Sequence, residues 1–233
     1  MADRLIVLDT ETTGLNAKLG DRIIEIGCIE LLSRRVTERH FHVYLNPDRD
    51  IEEGAAKVHG LTREFLADKP RFVDVAKEFL DYVRGAELVI HNAAFDLEFL
   101  DQELGLCGLG CVADHAACVT DTLAMARELH PGKRNSLDAL CERYAVDNAH
   151  RTLHGALLDA RLLAEVYLAM TRGQDSLAMD LEEPAPGAAA GAAHFDVSKL
   201  VVLRVSADEL AAHEKLLDGM AKEAKKGIVW RRG

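Results

Sequence analysis

The chain opens with three runs of apolar residues that have strand-like character and are separated by short polar turns. The runs cover residues 5–9, 22–32 and 36–45. Turn-forming residues at 16–20 and 33–35 join them, and connections this short favour antiparallel neighbours. The pattern therefore predicts a three-stranded antiparallel meander.

From about residue 62 the apolar positions change to helical spacing, interrupted by short aliphatic strands. Helices are predicted at 72–83, 95–104, 121–129, 136–144 and 155–170, and strands at 88–90 and 116–119. A meander followed by helix–strand–helix units indicates one α/β domain over residues 1–172, with a mixed sheet flanked by helices.

The composition changes after Arg172. Residues 182–193 contain Pro, Gly and Ala with almost no large apolar side chain, which predicts a flexible linker over 173–198. Within the remaining 199–233, residues 199–205 alternate like a strand.

Ser206 and Glu209 then form a capping box before a helix whose inward face would carry Leu210, Leu217 and Met220. A segment of about 35 residues is too small to bury its own core. We therefore expect it to fold against a partner or against the main domain.

The formal charge of −11 restricts how this chain could meet nucleic acid. Nonspecific affinity for a phosphate backbone comes from Lys and Arg. A chain this acidic would need metal ions, a local basic patch or a partner that delivers the substrate.

The sequence also predicts a cytoplasmic protein. A short strand-length run follows the first four residues directly, so no signal peptide is indicated, and no apolar stretch reaches the roughly 18 residues that cross a bilayer. Five cysteines form an odd set without metal-site spacing, which indicates reduced thiols.

Two carboxylates, Asp9 and Glu11, stand one residue apart at the end of the first apolar run. Side chains at i and i+2 of a strand point to the same face. Carboxylates held that close raise each other's pKa unless a cation lies between them. A polar strand end would be the ordinary interpretation of this pair, but two further acids argue against it.

Asp96 falls in the first helical turn after the strand at 88–90, and Asp159 lies on the apolar stripe of the last helix of the domain. No Lys or Arg lies on that stripe, and a buried carboxylate is costly unless it is paired. Asp9, Glu11, Asp96 and Asp159 therefore predict a cation site. Oxygen ligands suit Mg²⁺ or Mn²⁺ better than zinc.

His154 precedes Asp159 by five residues, about 140° around an ideal helix, so the two cannot share a helix face. We therefore expect His154 on the loop or first turn that leads into the helix, with Gly155 allowing that loop to move. A histidine placed there is suited to act as a general base.

Three segments carry a family resemblance: VLDTETTGL, HNAAFDLEFL and HGALLDARLLAEVY. In this order and spacing they resemble the three motifs of the DEDDh exonuclease superfamily. The resemblance covers residues 4–172 and extends through IIEIGCIEL, FHVYLNPDR, KVHGLT, VTDTLAMAR and PGKRNSLDALC. It implies a ribonuclease H-like fold and 3′→5′ hydrolysis of DNA that releases 5′-mononucleotides, as in bacterial proofreading members of the superfamily.

The resemblance also implies roles for the acids. Asp9, Glu11 and Asp159 would hold one metal ion, Asp9 and Asp96 would hold a second, and His154 would be the general base.

His59 resembles the family's substrate-pocket histidine near the terminal nucleotide, and this interpretation is favoured over that of a turn residue hydrogen-bonded to backbone. The family commonly has a glutamate where this chain has Gly54, so that contact is missing unless Glu53 replaces it. Asn92 would orient Asp96 near the substrate or cap a helix. Residues 133–135, Lys-Arg-Asn, would either bind phosphate or form a solvated loop.

The resemblance extends to partners. The segment 174–179 resembles a sliding-clamp-binding peptide, with Gln174, Leu177 and Met179 as its pocket residues. Residues 199–233 resemble a segment that binds a polymerase catalytic subunit, and the exonuclease domain could carry a small accessory subunit.

Two rival interpretations share parts of this pattern. An oligoribonuclease or a transfer-RNA-trimming enzyme has the same catalytic motifs but needs no tethering tail. A noncatalytic scaffold for a polymerase and clamp would have no reason to keep buried, mutually repelling acids.

Overall fold

The computed structural model of the chain describes residues 3–149, 151, 153–172 and 205–223. Contacts divide the chain into two units, Met1–Asp180 and Leu181–Gly233. Three predicted parts lie outside the described residues: the linker 173–198, the segment 174–179 with Gln174, Leu177 and Met179, and all but the last residue of the strand expected at 199–205.

The first unit is built on a five-stranded mixed sheet in the order β3-β2-β1-β4-β5. Its strands are β1 Arg4–Thr12, β2 Ile23–Leu32, β3 Arg35–Tyr44, β4 Glu87–Ile90 and β5 Cys118–Asp121. The first three pair antiparallel, whereas β4 and β5 join in parallel. Ser33 and Arg34, both at positive φ, close the tight β2–β3 turn. The predicted meander and mixed sheet are confirmed.

The helices follow the predicted order with boundaries that differ by a few residues. They are α1 Glu53–His59, α2 Arg63–Leu66, α3 Phe72–Val83, α4 Ala93–Leu106, α5 Thr122–Leu129, α6 Leu137–Tyr144 and α7 Ala156–Met170 in the first unit, and α8 Ala207–Glu223 in the second. Helices α1 and α2 were not predicted, because α1 is short and mostly exposed without an apolar stripe and α2 has only four residues.

Helices cover both faces of the sheet and form two apolar layers. Ile6 and Leu8 of β1 pack in one layer with Phe79 of α3 and Phe99 of α4. The alternate residues of β1 pack in the other layer with α6 and α7. Successive residues of the central strand therefore face opposite layers.

Strand β1 is longer than the sequence pattern indicated. The predicted strand ended at Asp9, but β1 continues to Thr12, so Asp9 and Glu11 lie within the strand and not beyond it. Its antiparallel pairing with β2 extends to Thr12, with an irregularity after Glu11. Its parallel pairing with β4 covers only residues 5–8. Residues 9–12 thus lack a β4 neighbour on one side.

Gly27 of β2 allows helix α7 to approach the sheet closely. A Cβ atom at Gly27 would lie 2.2 Å from the backbone carbon of Ala156, the first residue of α7. Gly27 is also the cross-strand partner of Asp9. The start of α7 is therefore placed directly beside the acidic part of β1.

In the second unit, the capping box at the start of α8 is confirmed. The Ser206 backbone N–H donates to Glu209 Oε2 at 2.9 Å, and the Glu209 N–H donates to Ser206 Oγ at 3.2 Å. Leu217 is buried as expected, but Leu210 and Met220 are 56% and 45% exposed. For those two residues the predicted inward face stays a prediction, because it included packing against a partner. None of the described helices is long and apolar enough to span a membrane.

Gly27→Ala should lower the free energy of unfolding by about 1–3 kcal/mol, because the new methyl group meets helix backbone, which cannot rotate away. Chemical denaturation would measure the change. Gly105→Ala in α4 is the matched control: its Cβ meets nothing within 4 Å, so helix propensity should stabilise the protein by about 0.5–1 kcal/mol. Equal stability of Gly27→Ala and wild type would contradict the close approach.

Candidate active site

A cavity of about 610 Å³ lies where β4 ends. The four acids singled out in the sequence, together with Asn92 and His154, all line this cavity. The structure thus brings together side chains from β1, α4, α7 and the loop that precedes α7.

Asp9, Glu11 and Asp159 approach one another from the same side of the sheet. Asp9 and Glu11 share the face of β1 that packs against α7. Asp159 lies in the first turn of α7, where its backbone N–H donates to Gly155 O at 2.9 Å. The contact between Gly27 and the start of α7 brings this first turn close to β1.

Asp96 reaches the cavity from the opposite layer. It lies in the first turn of α4 and accepts a hydrogen bond from Thr10 Oγ1 at 2.7 Å. Thr10 faces the α4 layer because it alternates with Asp9 and Glu11 along β1. Acids from two layers can meet here because β4 stops at Ile90 and leaves a gap in the sheet.

Burial disfavours the ionised forms of Asp9, Glu11 and Asp96, and repulsion between neighbouring carboxylates adds to this for Asp9 and Glu11. Burial, followed by the charges of Asp96, Asp159 and Glu11, raises the pKa of Asp9 well above its usual value. Burial, followed by the charge of Asp159, raises the pKa of Glu11 to about 8. Burial also raises the pKa of Asp96, against the effect of the Thr10 hydrogen bond. At neutral pH the site favours either protons or cations.

Arg151 is a cavity residue that the sequence analysis missed. Its Nε and Nη2 donate to Asp159 Oδ1 and Oδ2, both at 2.6 Å, and its Nη1 donates to Asp138 Oδ1 at 2.6 Å. Asp159 therefore has a basic partner, although none lies on the apolar stripe of its own helix. Arg151 lies in the irregular segment before α7, where no periodicity indicates which way a side chain points.

The other three acids remain without such a partner. Among the described residues, the ion pairs of Lys and Arg reach Asp159 but not Asp9, Glu11 or Asp96. One guanidinium cannot balance four carboxylates, so the need for further positive charge persists.

His154 lies in the loop before α7, outside the helix, as its spacing predicts. Its backbone N–H donates to Val58 O at 3.1 Å, which ties the loop to α1. Its half-exposed imidazole has Nδ1 3.5 Å from Asp159 Oδ2.

One ligand atom each from Glu11, His154 and Asp159 lie within 4.8 Å of one another, a spacing that could hold a metal ion. The available ligand atoms are mostly carboxylate oxygens, which converge on one place and carry negative charge. Such a set of ligands fits a hard divalent cation.

His59 combines a turn contact with an unpartnered polar atom. Its Nδ1 accepts the Leu61 N–H at 3.0 Å, so the proton of the neutral ring is on Nε2. That nitrogen is buried and has no hydrogen-bond partner among the described residues. Burial lowers the pKa of His59 and so favours this neutral form. His59 is not among the residues that line the cavity of the four acids.

Neither candidate for the family's glutamate reaches that cavity. Glu53 is exposed and pairs with Lys57 at 2.6 Å, and Gly54 faces open space. The described residues that line the cavity include neither of them.

The rim of the cavity carries basic and polar side chains. Asn92 adopts φ 66° and makes no side-chain capping bond, so its amide is left for the cavity. Lys133 and Asn135 line the cavity as well, whereas Arg134 does not. Arg127 of α5 also lines it and was not predicted, since its helix showed only an ordinary solvated face.

Comparison with known proteins places this geometry in a class. The exonuclease family model matches residues 6–167. Exonuclease X, solved in complex with 5′-overhanging duplex DNA, is 26% identical with a TM-score of 0.58, covering 73% of this chain and 93% of that chain. The zinc-bound complex of Escherichia coli ExoI with single-stranded DNA has a TM-score of 0.65 at 20% identity, covering 75% of this chain and 42% of the other, and supports the ribonuclease H-like fold alone.

Sequence relatives narrow the class further. DNA polymerase III subunit epsilon of Salmonella typhimurium is 53% identical over 237 residues, covering 98% of this chain and 97% of that protein. The subunit of the same name from Rickettsia typhi is 45% identical, covering 95% of this chain and 98% of the other. The chain therefore belongs to the exonuclease family and, within it, to the DNA polymerase III epsilon subunits.

In the presence of a chelator, the protein should lose stability as the pH rises from about 5 to about 8. The folded state retains the Glu11 proton up to about pH 8, whereas the usual carboxyl pKa is 4.5, so folding binds a proton across this window. Stability then falls by up to about 1.4 kcal/mol per pH unit for each such group. Thermal melting at several pH values would measure this, and Glu11→Gln should flatten the curve. A pH-independent melting temperature in the wild type would contradict the raised pKa.

Proposed function

We propose that this chain is a 3′→5′ DNA exonuclease that proofreads for a replicative polymerase in the bacterial cytoplasm. The observation that carries the proposal is the convergence of Asp9, Glu11, Asp96, Asp159 and His154 on one cavity. The 53% identity to an epsilon subunit supports DNA as the substrate. Its five cysteines are free thiols, which fits a reducing compartment.

The four acids would hold two divalent ions, Mg²⁺ or Mn²⁺. Asp9, Glu11 and Asp159 would bind one, and Asp9 and Asp96 the second, with Thr10 fixing the orientation of Asp96 through its 2.7 Å hydrogen bond. When bound, such ions neutralise the scissile phosphate and lower the pKa of the attacking water. In this acidic chain, the metal ions would neutralise the phosphate charge that a basic protein surface would otherwise neutralise.

His154 would accept the proton of the attacking water. Its half-exposed position on the loop before α7 allows contact with solvent and with a bound nucleotide. Asp159 Oδ2, at 3.5 Å, would stabilise the imidazolium that results. The 3′-terminal phosphodiester would then be cleaved and a 5′-mononucleotide released.

Substrate contacts would come from both ends of the site. His59 would contact the terminal nucleotide through its Nε2–H, but this atom is buried and His59 lies outside the lining of the acid cavity, so the contact would require a local rearrangement. Asn92 would orient the substrate near Asp96. Lys133 and Arg127 on the rim would attract the backbone phosphates locally, despite the overall charge of −11.

The position of Gly54 leaves this substrate site without the glutamate that related enzymes use. Glu53 points into solvent and pairs with Lys57, so it does not substitute for that residue in the conformation described.

The C-terminal part would attach the enzyme to its partners. Residues 199–233 would bind the polymerase catalytic subunit, and the exposed apolar side chains of Leu210, Leu216 and Met220 on α8 are suited to such a contact. Through the linker 173–198, the segment 174–179 would reach a sliding clamp. A small accessory subunit would bind the exonuclease domain.

An exoribonuclease is the remaining alternative, because its catalytic acids would be the same. Matched and mismatched DNA primers and an RNA oligomer, incubated with Mg²⁺ or with chelator, would separate the two. We expect Mg²⁺-dependent degradation of DNA, fastest at the mismatched end. RNA degraded faster than DNA would favour the alternative.

Asp9→Ala and His154→Ala should fail at different steps. Asp9→Ala should abolish hydrolysis of a mismatched primer and weaken Mn²⁺ binding, while folding at least as stably as wild type without metal because a repulsion is removed. His154→Ala should slow hydrolysis by about 10²–10⁴-fold but change Mn²⁺ affinity much less. Single-turnover kinetics and calorimetric titration would measure both. Equal losses of rate and affinity in His154→Ala would make it a ligand instead.

Removal of residues 200–233 should leave hydrolysis of single-stranded DNA unchanged, since the four acids and His154 all lie in the first unit. The same truncation should abolish co-purification with the polymerase subunit. Persistent association of the truncated chain would refute the tether.

A further inference from the structure

All three nitrogens of the Arg151 guanidinium contact residues of the active-site cavity. Nε and Nη2 donate to the two oxygens of Asp159, Nη1 donates to Asp138, and Nη2 also lies 3.1 Å from His154 Nδ1. The side chain is only 7% exposed. A single cation thus holds a proposed metal ligand and the proposed base at the same time.

The contacts of Arg151 occupy the same atoms of Asp159 and His154 that the proposed metal binding and proton transfer require. A bidentate guanidinium–carboxylate ion pair uses one lone pair on each of the two carboxylate oxygens and is among the stronger polar contacts in proteins. A divalent ion bound by Asp159 would need lone pairs on the same oxygens. The contact with Nδ1 likewise engages a lone pair of His154.

We propose that Arg151 is a built-in counter-cation that closes the metal-free site and releases Asp159 when a divalent ion binds. This inference rests on the proposed function, because it takes Asp159 as a metal ligand. The ion and the guanidinium then compete for one carboxylate.

Because Arg151 also binds Asp138, its guanidinium needs to move only a short way to release Asp159. Asp138 lies in the first turn of α6, is about half exposed, and accepts from Nη1 at 2.6 Å. The bond to Asp138 uses a different nitrogen from the bonds to Asp159. Arg151 can therefore leave Asp159 while remaining tethered at the cavity wall.

Arg151→Lys tests the competition because it keeps the charge and removes the two-pronged contact. Arg22→Lys is the matched control: Arg22 Nε and Nη2 bind the two oxygens of buried Glu103, also at 2.6 Å, outside the cavity. Mn²⁺ affinity by calorimetry and melting temperature in chelator would be measured for both full-length variants.

We expect Arg151→Lys to bind Mn²⁺ about tenfold more tightly and to melt at a lower temperature in chelator. Arg22→Lys should melt earlier without a change in Mn²⁺ affinity. Wild-type affinity in Arg151→Lys, combined with tighter binding in Arg151→Gln, would mean that charge alone acts and would overturn the competition.

A measurement on the wild type covers the case in which a variant does not fold. The Nε–H resonance of Arg151 should shift when Mg²⁺ saturates the protein, while that of Arg22 stays in place. An unmoved Arg151 resonance in the Mg²⁺-saturated protein would overturn the inference. A wild type that binds neither Mg²⁺ nor Mn²⁺ would instead overturn the proposed function.

Discussion

The repulsion among four buried carboxylates is the constraint on which the rest of this structure depends. Burial makes the charges of Asp9, Glu11 and Asp96 more costly, and the neighbouring acids further raise the pKa of Asp9 and Glu11. Acids left to relax would separate toward solvent. They stay together because each one is fixed on a strand or in the first turn of a helix that packs into an apolar layer. The hydrophobic core therefore stabilises an arrangement that its own charges oppose.

The sheet has to be interrupted for the site to exist. Asp96 belongs to the α4 layer and Asp159 to the α7 layer, which a continuous sheet would keep apart. Because β4 stops at Ile90 while β1 continues to Thr12, the two layers meet at the edge of β1. Thr10 faces one layer and its neighbours Asp9 and Glu11 face the other, so one strand organises both halves of the site.

Much of the fold and of the site could be predicted from local patterns. Apolar periodicity located the main strands and helices, and acids on otherwise apolar faces identified Asp96 and Asp159. Arg151 escaped because it lies in irregular backbone, where sequence spacing carries no direction. Thr10 escaped because its importance comes from Asp96, 86 residues away. Helix α1 escaped because its sequence has no apolar stripe, although its last residue is His59. Contacts distant in sequence and loop conformations are set by tertiary packing, which periodicity does not record.

Because the position of the active-site residues depends on packing at Gly27, a mutation of Gly27 would have a genetic consequence. Gly27 has no side chain that could take part in the chemistry, and it lies opposite Asp9 on the neighbouring strand. Any larger residue there would displace the backbone at the start of α7, and with it both Asp159 and the loop that holds His154. In a screen for raised mutation rates, such an allele would be indistinguishable from loss of an active-site residue. All the catalytic side chains would still be present in such a protein. The defect would arise because Asp159 and His154 no longer lie at the right distances from the other acids.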